Sequence, residues 1–145
     1  MQSKAIALLP FAVLAGGANA DEAAWDVIRS IDVQEKMTET SYRAIKTFPA
    51  AIENGVEQFD ITGFVIPMDG FEPGAKVTTL MLVSDMVTCP FCGLPDHAAA
   101  LEVALATPLD LTEGERITLR GALELNHDPE TAQAATLTAA KRVPG

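Results

Sequence analysis

Basic residues are scarce in this chain: ten Lys and Arg stand against twenty Asp and Glu, for a formal net charge of −10. A surface so acidic repels phosphate backbones and anionic lipid headgroups, which argues against a nucleic-acid partner. Cysteine is scarcer still, with two in 145 residues, too few for a disulfide-built scaffold or a paired C-x-x-C zinc knuckle. No Gly-rich phosphate loop, Ser-His-Asp order or spaced carboxylate pair is present. After the first twenty residues, no apolar run is long enough to cross a bilayer as a helix, so no stable membrane insertion is expected.

Those first twenty residues, MQSKAIALLPFAVLAGGANA, have the layout of an export signal. Lys4 supplies the positive start, Ala5 to Leu14 the short apolar core, and Ala18-Asn19-Ala20 a small-x-small cleavage site. No Cys lies near that site to take a lipid, and no Arg pair marks a folded-export route. Cleavage after Ala20 would leave 125 residues and, with Lys4 removed, a charge of −11. That is one domain, expected in the periplasm or outside the cell.

The mature chain reads as a helical front, 21–55, followed by a strand-rich domain, 56–145. Trp25, Ile28, Ile31 and Val33 recur at helix-like intervals over Glu22 to Met37, with Asp21 as the cap. A second short helical piece is predicted over Thr47 to Asn54, with Pro49 in its first turn and Gly55 at its end. From Val56 the period changes to two. Phe59, Ile61 and Val65 share one strand face, and Pro67 closes that strand. Val77 to Val83 is apolar on both faces towards its end. In Arg116 to Leu125, Ile117, Leu119, Leu123 and Leu125 point one way, with Gly121 among them. Thr136 to Val143 is the last strand. Ala98 to Ala106 fits either a strand, through Leu101, Val103 and Leu105, or a helix, and the strand is preferred. Short strands with in-strand Gly63 and Gly121 predict a mainly β fold, a small five-stranded OB-like antiparallel barrel with an N-terminal helical extension.

The chemistry is concentrated in DMVTCPFCGLPDH, where Cys89 and Cys92 form a C-x-x-C pair followed by Asp96 and His97. Three readings compete. An inert disulfide suits an oxidising compartment, although so short a loop gains little from closure. Thiol-disulfide exchange needs a thiolate of lowered pKa at a helix N-terminus, which a helix over Pro95 to Ala106 would supply. A soft-metal site would use Cys89, Cys92 and His97 on zinc or copper(I), with Asp85, Asp96, His127 or water completing the shell. Oxidation would abolish that site, so metal and disulfide are exclusive states.

The runs FDITGFVIPMDGF, TTLMLVSDMVTCPFCG and ITLRGALEL resemble a family of exported bacterial proteins, a domain of unknown function with an OB-like barrel. The matching features fall on Trp25, Gly63 to Met68, Leu80 to Val83, Cys89 to Cys92 and Gly121 to Leu123. Genes of that family often lie beside zinc-uptake transporter components. The resemblance therefore implies a periplasmic role in zinc handling; with the clustered soft ligands it leads to the expectation of a non-enzymatic accessory protein with a metal-transport component as partner. Many relatives carry one Cys, a later His and a proline run in this loop, whereas this chain has CPFCGLPDH.

Overall fold

The computed structural model describes residues 18–68, 72, 74–86 and 99–145. Among the described residues, one helix, α1 (Ala18–Arg29), precedes seven strands: β1 (Asp32–Met37), β2 (Tyr42–Thr47), β3 (Val56–Pro67), β4 (Val77–Val83), β5 (Ala100–Leu109), β6 (Arg116–Leu125) and β7 (Ala135–Val143). The last five close into a barrel in the order β3-β4-β5-β7-β6. This is OB connectivity, with the first barrel strand, β3, paired with the second, β4, and the fourth, β6. The ladders are antiparallel except one: β5 and β7 run parallel through Glu102↔Thr136, Val103↔Leu137 and Leu105↔Ala140. The expected all-antiparallel barrel is therefore a mixed one. A parallel closing ladder is what the fifth strand must form to reach the third after pairing with the fourth.

Period-two alternation builds the core directly. Ile61, Val65, Leu80, Leu82, Val103, Leu119, Leu123 and Leu137 are all sealed from solvent inside the barrel. Over Ala100–Leu109 the strand alternative holds, with Leu101 and Val103 buried. β3 is long because it serves two sheets: Val56 to Phe64 pair with β6, and Phe64 to Pro67 pair with β4. Gly63 sits just before the handover, where a Cβ would meet Val83 O at 2.7 Å, Leu82 Cγ at 2.8 Å and Trp25 Cζ2 at 2.9 Å. Only a residue without a side chain lets α1 approach β3 there. Trp25, 3% exposed, fills that approach, and its indole N–H donates to the Thr62 carbonyl at 2.7 Å.

The front of the chain differs from expectation. α1 ends at Arg29, and Asp21 lies inside the helix rather than at its cap. The Ser30 N–H donates to both Asp26 O and Val27 O, and the Ser30 hydroxyl donates to Val27 O at 2.6 Å. That local competition closes the helix without glycine or proline. Residues Asp32–Met37 then pair with Tyr42–Thr47 as a two-stranded antiparallel hairpin. Beyond it, Ile52 N–H bonds Pro49 O and Gly55 N–H bonds Ile52 O, giving turns where a short helix was predicted.

Candidate functional site

β4 and β5 are neighbours whose last ladder pair is Val83↔Ala100. The connection between them carries the C-x-x-C motif. Its neck is clamped: Ser84 N–H donates to Ala99 O at 2.9 Å, and Ala99 N–H donates to Ser84 Oγ at 3.0 Å. Both ends of the connection are thus fixed at the barrel rim, and binding and catalytic residues often sit on connections held in this way by a scaffold. Cys89, Cys92, Asp96 and His97 lie outside the described residues.

Of the remaining candidates, Asp85 stands directly past the neck, half-buried and engaged in an interaction. His127 lies two residues beyond the end of β6 and is exposed. Its ring meets Phe48 edge-on, with centroids 4.9 Å apart and planes at 68°. The ladders relate the two positions. Val83↔Ala100, Glu102↔Thr136 and Leu125↔Ala135 carry one level around the barrel from the loop neck to the end of β6. Asp85 and His127 therefore emerge on the same rim. Among the described residues, no three His, Cys, Asp or Glu side chains gather into a metal-binding group. His127 instead borders a shallow pocket with Glu53, Glu57 and Glu124.

The loop that carries His127 is held by features that no residue pattern announced. Lys46 of β2 sends its ammonium into three backbone carbonyls, Asn126 O at 2.9 Å, Asp128 O at 2.7 Å and Gln133 O at 2.6 Å. Nearby, an apolar groove of about 440 Å³ runs between the hairpin and the barrel, lined by Ile28, Ile31, Val33, Met81 and Leu101. Its far side includes Gln133, whose amide donates to Glu102 and Thr136. The helical periodicity of Ile28 and Ile31 was the only sequence signal for this groove.

The thiol-exchange reading required a helix through Pro95 to Ala106 to lower a cysteine pKa. β5 takes Ala100 onward as strand, with Leu101 and Val103 in the core, so residues 100–106 do not form part of such a helix. No helix among the described residues is long and apolar enough to cross a membrane. No family model, curated protein or solved structure matches the chain.

Proposed function

We propose that this chain is an exported, non-enzymatic accessory protein that holds zinc or a similar soft cation through Cys89, Cys92 and His97. The clamped neck between Ser84 and Ala99 is the observation that carries the reading. It fixes the two ends of the segment whose sequence carries Cys89, Cys92 and His97, with Asp85 directly past the neck in the same segment. Zinc takes four ligands, and Asp85, His127 or water would supply the fourth. The thiols must ionise to bind, so loading releases protons and weakens as pH falls. An accessory role suits a partner in metal transport, and the −10 net charge suits handling cations rather than nucleic acids.

The test is metal retention by the mature protein, reduced and kept anaerobic, after one equivalent of zinc and desalting. Wild type should keep about one zinc per chain, in line with thiolate-rich sites. The Cys89→Ser/Cys92→Ser variant should keep almost none, and His97→Ala should fall between the two. Equal retention by wild type and the double serine variant ends the proposal.

A further inference from the structure

The β1 edge is open, and its alternation can be worked out. Thr38 N–H donates to Ser41 O at 2.8 Å, closing the hairpin turn. Bonded and non-bonded pairs alternate from there, so Lys36/Arg43 and Gln34/Ile45 exchange hydrogen bonds within the hairpin. Val33, Glu35 and Met37 consequently turn their N–H and C=O groups away from β2. The same alternation turns Ala44 outward on the other strand, where its N–H reaches Pro129 O at 2.7 Å. The barrel's own loop thus takes up the Ala44 amide on the β2 edge. Among the described residues, nothing bonds the outward backbone groups of β1.

Three further properties meet on this edge. Residues 32–47 hold three acids (Asp32, Glu35, Glu39) and three bases (Lys36, Arg43, Lys46), a neutral patch on a strongly acidic molecule. Met37, 75% exposed, is the most exposed of the large apolar side chains among the described residues. Val33 and Ile31 line the open apolar groove beside the same strand.

We propose that β1 pairs antiparallel with β1 of a second copy, Gln34 facing Gln34 across the two-fold axis. This register puts Val33 opposite Glu35 of the second copy, so the outward backbone groups exchange four hydrogen bonds. Asp32 faces Lys36 of the second copy, twice by symmetry. Met37 arrives opposite Ile31 of the second copy, on the face that carries Val33, and covers its groove. The neighbouring two-fold registers fare worse: an axis at Glu35 sets Glu35 against Glu35, one at Lys36 sets Lys36 against Lys36, and one at Val33 puts Asp32 opposite Gln34 and loses both Asp32–Lys36 pairs. A six-residue edge buries less than the roughly 1,200 Å² of a standard stable interface, so the dimer forms only at high micromolar concentration.

Sedimentation of the mature protein over a range from about 5 μM to about 1 mM tests this, because a dimer of that size class dissociates within it. Wild type should pass from monomer to dimer. Asp32→Lys or Lys36→Asp alone should weaken association about tenfold, since two attractive pairs become repulsive, and the double reversal should restore it. Circular dichroism checks that each variant is folded. The register has its own probe in a Cys89→Ser/Cys92→Ser background. Gln34→Cys places two thiols on a non-bonded pair, with Cα atoms about 4.5 Å apart, close enough for a disulfide. Mild oxidation should link that variant and leave a Glu35→Cys variant unlinked. A monomer throughout the range overturns the proposal. So does a dimer indifferent to both charge reversals, or one that links through Glu35→Cys and not Gln34→Cys.

Discussion

Gly63 and Trp25 are a matched pair, and neither makes sense without the other. The indole occupies the space that a Cβ at position 63 would need, and its N–H satisfies the carbonyl of the preceding residue, Thr62. Thr62 itself is buried, and its hydroxyl lies 2.8 Å from that of Thr118, its ladder partner on β6. Two of the three nearest atoms at Gly63 belong to β4 backbone and a sealed leucine, which have little room to yield. Gly63→Ala should therefore destabilise the fold by about 2–3 kcal/mol, the upper range for overpacking a tight core. Denaturant unfolding followed by the fluorescence of Trp25, the only tryptophan, reads both the loss and any displacement of the indole. A midpoint equal to that of wild type would show that α1 is not wedged against β3.

At the level of elements, α1 and the hairpin are joined to the barrel by different devices. The helix uses buried side chains, whereas the hairpin relies on Lys46 and on the Ala44 N–H to Pro129 O bond. An ammonium can point three protons at three converging carbonyls, which a planar guanidinium cannot do. Lys46→Met should loosen the hairpin at a cost of about 1.5–3 kcal/mol, and Lys46→Arg should recover only part of it. Hydrogen exchange at the Ala44 amide is the direct readout; unchanged protection in Lys46→Met would assign the docking to other contacts. The same difference between devices explains what could be read in advance. β3, β4, β6 and β7 were legible because one apolar face of each enters the core, which stamps a period of two on Ile61, Leu80, Leu119 and Leu137. β1 leaves no such stamp, being exposed along nearly its whole length, and its Val33 continued the spacing of Ile28 and Ile31. Helix and strand periods cannot be separated where burial does not enforce one of them. The parallel β5–β7 ladder is a property of chain order, invisible to any local pattern. The candidate site was legible as a motif, from the spacing of Cys89, Cys92 and His97. Its mounting on the Ser84–Ala99 clamp was not, since that depends on which strand ends become neighbours.

For the molecule as a whole, acidity acts in two opposing ways as pH changes. With twenty carboxylates against ten bases, lowering the pH from neutrality first relieves self-repulsion. Two carboxylates then work in the other direction. Asp60 faces Arg120 across the β3–β6 ladder and accepts two guanidinium hydrogen bonds, each 2.7 Å, which hold its carboxyl below the usual 3.8. Glu115 accepts the Thr112 N–H at 3.2 Å and an Arg142 N–H at 2.7 Å, and these hold it below the usual 4.5. Folded values below unfolded ones mean that both groups stabilise the fold above the ordinary carboxylate range. That contribution disappears as pH falls through their lowered folded values. Thermal stability should hold or rise slightly from pH 7 to about 5, then fall below about 4. Both pairs lie at the surface, so the acid limb should be shallow and should flatten further in high salt. An Arg120→Met/Arg142→Met variant should lose part of the limb by becoming less stable at neutral pH while matching wild type near pH 2. Parallel curves for variant and wild type down to that pH would place the acid response elsewhere than in the two ion pairs that tie β3 to β6 and the start of β6 to the end of β7.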